Sequence, residues 1–171
     1  LERLSEAVGF EAPRAHGYNV VEVIEAMGAG EVDVFVAMGG NLVGAAPDTP
    51  RTASAMRRCG LTVHVATKLN RTHLEPGEVS LILPCLGRTE RDLQPSGPQF
   101  VTVENSMGIV HRSQGQLEPA SEHLLSEPEI VARMASAAFG DEGPVDWRSM
   151  SADYDVIRDL VARVIPGFEG Y

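Results

Sequence analysis

Val34-Phe35-Val36-Ala37-Met38 is apolar at every position and is followed at once by Gly39-Gly40-Asn41. Such a run, without the gaps of a helical pattern, reads as a strand covered on both faces, so a central strand of a parallel sheet is expected here. Thr49-Pro50 then offers an N-cap and first-turn pair for a helix reaching about Arg58, with Ala53 and Met56 turned inward. Leu61–Thr67, rich in β-branched residues and starting directly after Gly60, is the next strand. Strand, helix and strand in this order make a right-handed βαβ unit, which commits the region to an α/β architecture.

The flanking segments fit that frame. Asn19 with Glu22 three residues on opens a helix over residues 19–27, whose apolar face is Val20, Val23, Ile24 and Met27, with Gly28 just past its end. A third strand is expected at Leu81-Ile82-Leu83, stopped by Pro84, after a connection with at most one helical turn. Phe100–Val103 and Ile109–His111 read as short strands joined around Asn105-Ser106-Met107-Gly108. Ser126-Glu127-Pro128-Glu129 spells a capping box, with Ile130, Val131, Met134 and Ala138 as the buried face of a helix up to Gly140. Asp141–Ser151, containing Gly143-Pro144, reads as an exposed connection. Tyr154, Ile157, Leu160, Val161 and Val164 mark a last helix ended by Pro166-Gly167. The expectation is one α/β domain over residues 1–171, a three-layer sandwich with a mainly parallel, Rossmann-like sheet.

Composition narrows the function. With 24 acidic against 14 basic residues the formal charge is -10, which argues against a broad grip on nucleic acid or an anionic membrane. No apolar run approaches the ~20 residues of a spanning helix, so membrane insertion is not expected. Cys59 and Cys85 stand far apart without a C-x-x-C, as buried thiols of a reducing, cytoplasmic compartment would. The chain lacks a start Met and a signal-like opening, and reads as a piece of something longer.

In open α/β sheets ligands bind beyond the carboxyl ends of the strands. Two loops qualify. Gly39-Gly40-Asn41 follows the first strand, where glycines let a ligand approach the backbone and Asn41 can donate and accept, although a plain turn explains it equally well. Thr67-Lys68-Leu69-Asn70-Arg71-Thr72-His73 follows the second and holds Lys68, the only lysine, which makes it a candidate anion site or else a solvated, capped loop. The five histidines share no metal-ligand spacing, no G-x-S-x-G elbow occurs, and Glu90, Asp92 and Glu104 have no fixed geometry. No catalytic residue and no metal ligand is assigned.

At these loops the sequence resembles a known family. VFVAMGGNLVGAAPDT, LTVHVATKLNRTHL, LILPCLGRTERD and VTVENSMGIVHRSQGQLEPAS, in that order and spacing, are similar to the molybdopterin oxidoreductases, most of all their formate dehydrogenase-like alpha subunits. The likeness spans nearly the whole chain and is most specific from Thr62 to Asp92. It implies an internal cofactor-binding domain of a large enzyme, with molybdenum or tungsten held by two molybdopterin guanine dinucleotides. It implies further that Gly39, Gly40, Asn41, Thr67, Lys68 and Asn70 line the dinucleotide. Asn105-Ser106-Met107-Gly108 lacks the Glu and Arg that many relatives carry after the third strand, and neither cysteine matches the segment that ligates the metal. The ligand of the metal, any iron–sulfur cluster, and the sites for the small-molecule substrate and redox partner are then expected outside this fragment, which alone should be inactive. The competing reading is a stand-alone nucleotide-binding or regulatory α/β module without redox activity.

Overall fold

The computed structural model describes residues 1–169. Along the chain run helices α1 (Glu2–Val8) and α2 (Val20–Ala29), strand β1 (Val34–Met38), helices α3 (Leu42–Ala45) and α4 (Thr49–Met56), and strand β2 (Leu61–Ala66). A 3-10 turn (Arg71–Leu74) leads to β3 (Val79–Pro84), followed by the short strands β4 (Leu93–Gln94), β5 (Gly97–Pro98), β6 (Val101–Glu104) and β7 (Val110–Ser113). Helices α5 (Glu127–Phe139), α6 (Trp147–Ala152) and α7 (Tyr154–Val164) complete it. The fold is mixed α/β, with a three-stranded parallel sheet flanked by helices, consistent with a three-layer α/β class. Among the described residues no helix is long and apolar enough to cross a membrane.

The elements fall into two compact units, His16–Cys85 and a discontinuous one made of Leu1–Ala15 with the residues from Leu86 onward. In the first, β1, β2 and β3 pair in parallel in that order. Its apolar cluster joins Ile24 and Met27 of α2, Val43 of α3, and Ala53 and Met56 of α4, with Phe35 of β1 packed against them. Asn19 accepts from Val21 N and Glu22 N while Glu22 returns a carboxylate to Asn19 N, so α2 starts with the expected capping box. Cys59 and Cys85 are both buried, and neither forms a disulfide among the described residues.

Three expectations change here. β1 is an edge strand and not a central one, because both later strands add on the same side of it. Helix α2 runs through Gly28 and ends at Gly30, which takes the left-handed conformation at φ 78° and donates back to Ala26 and Met27. Asp48, not Thr49, caps α4, accepting from Arg51 N.

In the second unit, β6 and β7 form the expected antiparallel pair around the Asn105 turn, β4 and β5 form a small hairpin, and α1 packs on α7. Ser126 caps α5 by accepting from Glu129 N, but the reciprocal half of the capping box is missing. Glu129 instead faces Arg133 and Ser151, and although burial pushes its pKa up, those hydrogen bonds outweigh it and hold the carboxyl below its ordinary range. Val131 and Ala138 are exposed, because α6 covers the side of α5 that carries Ala132 and Ala135. The expected connection at Asp141–Ser151 holds α6, capped by Asp146 on Ser149 N, so only the stretch before it is irregular.

Candidate functional site

The candidate site lies within the first unit, where β1 and β2 end. Gly39 N donates to Val65 O at 2.7 Å, carrying the sheet one bond beyond β1. Gly39 and Gly40 then turn with φ of 67° and 69°, a conformation that a side chain would strain. Nothing lies within 4 Å of where a Cβ would stand on either glycine, so the backbone faces open space.

Asn41 caps the short helix α3, its Oδ1 accepting from Gly44 N at 3.2 Å and from Thr72 Oγ1 at 3.0 Å. A Cβ on Gly44 would come within 2.5 Å of Asn41 Nδ2, so a side chain there would push the Asn41 amide off its cap. Thr72, buried, accepts in turn from Val43 N at 3.1 Å. Asn70 works from the other side: its Oδ1 accepts from Thr72 N at 2.9 Å, and its Nδ2 donates to Gly40 O at 2.7 Å. Asn70 N donates to His73 Nδ1 at 3.0 Å.

Beneath the turn His64 of β2 meets His73, ring centroids 4.9 Å apart, and the Nε2 atom of each is buried without a partner. Burial and the neighbouring imidazole both hold the His64 pKa below its ordinary value. Thr67, Lys68 and Leu69 are exposed at the rim. Lys68 makes no ion pair among the described residues.

Of the residues singled out in the sequence, Gly39, Gly40, Asn41 and Asn70 are thus joined in one hydrogen-bonded assembly, while Thr67 and Lys68 stand free on its edge. Sequence reasoning missed Thr72, the buried centre of the clasp. Its signal was the Asn-x-Thr spacing of an Asx turn at Asn70-Arg71-Thr72.

The acidic residues considered for acid/base work have structural partners in the second unit. Glu90 accepts from Gly87 N and Ala120 N, bonds that hold its pKa below the ordinary value. Asp92 accepts from the Tyr154 hydroxyl, which also lies 2.6 Å from Ser126 Oγ. Burial, with Asp92 beside it, pushes the Tyr154 pKa far up. Glu104 is exposed.

No established family profile matches the chain. Over all 171 residues it is 50% identical to proteins named uncharacterized oxidoreductase in Mycobacterium tuberculosis and Mycobacterium bovis. It is 43% identical over the same length to protein YdeP of Escherichia coli. The chain spans only 22% of the length of these relatives, so it corresponds to a domain-sized segment of larger proteins.

Proposed function

We propose that the site at the ends of β1 and β2 holds the nucleotide end of a molybdopterin guanine dinucleotide, and that the chain is the cofactor-binding part of a larger, cytoplasmic, formate dehydrogenase-like oxidoreductase. The full-length likeness to proteins named oxidoreductase supports the wider part of this reading. The clasp from Asn70 Nδ2 to Gly40 O carries the narrower part, because it fixes two ligand-facing loops against each other and leaves the Gly39-Gly40 backbone open.

The residues present suit such a group. A dinucleotide brings phosphates, and in a chain of charge -10 the exposed Lys68 is a cation beside an uncovered backbone turn. Gly40 would meet the nucleotide through its backbone, Asn41 through its amide, and Thr67 and Lys68 would reach the phosphate or guanine end. Asn70 spends both side-chain atoms on the loops, so its part is to hold them at a ligand-ready spacing. The bound cofactor would supply the metal centre for electron transfer. The metal ligand, any iron–sulfur cluster, the substrate site and the redox partner's site belong to the remaining domains of the parent enzyme, and these residues alone have no turnover.

Titration of the chain with guanosine diphosphate, followed by amide chemical shifts, tests the assignment. Saturable shifts clustered at Gly39–Asn41 and Thr67–Thr72 are expected. Shifts confined to Glu142–Ser149, or equal shifts with inorganic phosphate alone, would reject it.

A further inference from the structure

Helix α7 buries a charge more deeply than the apolar residues beside it. Tyr154, Ile157, Arg158 and Val161 recur at the spacing of one helical face, yet Arg158 is only 8% exposed while Ile157 and Val161 are half-buried. An arginine is rarely buried to this degree unless its donors are met, because an unmet buried charge is costly.

The donors of Arg158 are met in part. Its guanidinium lies over the Phe100 ring, 3.8 Å from the centroid. Nη1 donates to Phe100 O at 3.0 Å, and Nε and Nη2 both donate to Oδ1 of Asp155. These bonds use three of the five N–H groups that a guanidinium carries, and the other two have no acceptor among the described residues. The Asp155 side chain is 64% exposed, so water screens much of the charge it offers.

Arg158 and Phe100 line a groove of about 730 Å³ formed by residues of the second unit. Its walls are aliphatic: Val101, Val103 and Val110 come from the β6–β7 hairpin, and Ile157 and Val161 from α7. Glu104, exposed at the end of β6, lines it too, about 13 Å from Phe100 by the rise of an extended chain. A concave, mostly apolar space with a few fixed polar groups is what small-molecule sites share. Its two charges set a direction, since the Arg158 end attracts an anionic head and the Glu104 end repels one.

We propose that this groove binds an aliphatic monocarboxylate of the fatty-acid type, its carboxylate accepting from the spare N–H groups of Arg158 and its hydrocarbon chain running between the hairpin and α7 toward Glu104. An ionised head gains more from a buried guanidinium than a neutral one does. A single charge suits the place better than a phosphate dianion, because Asp155 already stands beside the guanidinium. The assignment rests on the second unit alone and stands whether or not the first takes a nucleotide.

Decanoate, kept below its micelle-forming concentration, is the probe, with decanol and acetate as its two halves. Titrated into the 171-residue chain, decanoate should give saturable amide shifts at residues 100–104, 110 and 154–161, with an affinity about 10-fold or more above that of decanol, and acetate should give none. Arg158→Lys should narrow the gap between decanoate and decanol. Because Arg158 also ties α7 to Phe100, the companion variant is Val110→Glu, at a position 53% exposed, which should leave the melting temperature within about 2 °C and weaken decanoate by about 10-fold or more. Absence of saturable binding, equal affinity for decanol, or an unaffected Val110→Glu would each overturn the proposal. So would calorimetry in which the chain binds decanoate and the parent enzyme does not, since the groove would then be an inner surface covered by other domains.

Discussion

Asn70 Nδ2 donates to Gly40 O across 2.7 Å, joining loops thirty positions apart in the chain. The same amide's oxygen caps the following turn on Thr72 N, so one side chain sets both the shape of its own loop and the distance to the other.

Asn70→Ala should therefore lower stability by about 1–2 kcal/mol, the sum of a lost cap and a lost bond to the Gly40 carbonyl. Asn70→Asp keeps the capping oxygen but sets a carboxylate beside a carbonyl. Denaturant melts should rank the three proteins native, Asp, Ala, and guanosine diphosphate shifts at Gly39–Asn41 should weaken in both variants.

Lys68→Ala separates binding from folding. The side chain is exposed and makes no ion pair among the described residues, so unfolding free energy should stay within about 0.5 kcal/mol of native. Guanosine diphosphate affinity should fall by about 1–3 kcal/mol, the worth of a charged hydrogen bond to phosphate, as measured by titration. Unchanged affinity would remove Lys68 from the site.

The buried His64 makes the first unit acid-sensitive. Its pKa in the fold lies below the ordinary 6.5, from burial first and His73 second, so the folded state favours the neutral ring. Its contribution is complete above that ordinary value and is lost as pH falls through the lower folded value. Urea midpoints measured from pH 7.5 down to 5 should decline, and His64→Gln should be less stable at neutral pH yet show a shallower decline.

Tyr154 acts at the other end of the scale. Its hydroxyl bonds Asp92 and Ser126 and is kept un-ionised far above its ordinary value of 10.0, by burial first and by Asp92. The folded pKa is raised, so this stability is whole below pH 10 and lost as pH climbs through the folded value. Tyr154→Phe should cost about 1–3 kcal/mol at pH 7, because Asp92 Oδ2 and Ser126 Oγ both lose the hydroxyl, leaving Asp92 only its bond from Gln94 on the other oxygen. The variant should also show a flatter alkaline limb in melts followed above about pH 10.

The extents of β1 and β2 were readable because side-chain pattern and flanking glycines are local signals. The edge position of β1 was not, since strand order depends on where distant segments settle. Helix α3 hid in Leu42–Ala45 because four small or apolar residues carry no periodicity, and its cap comes from the Asn41 side chain. The loops of the site were legible from their place after the strands. Thr72 and His73 were not, for their roles exist only once Asn41 and His64 have been brought over them.

The packing of α1 against α7 sets an order on synthesis. His16–Cys85 is contiguous and has all its own strands as soon as Cys85 has left the ribosome, so it can fold early. Leu1–Ala15, made before that unit, has to wait for α7, made after it, before its helix finds its neighbour. A nascent chain halted before Tyr154 would thus carry a finished parallel sheet and an α1 still without its neighbour, the bare helix that a chaperone or protease would meet first.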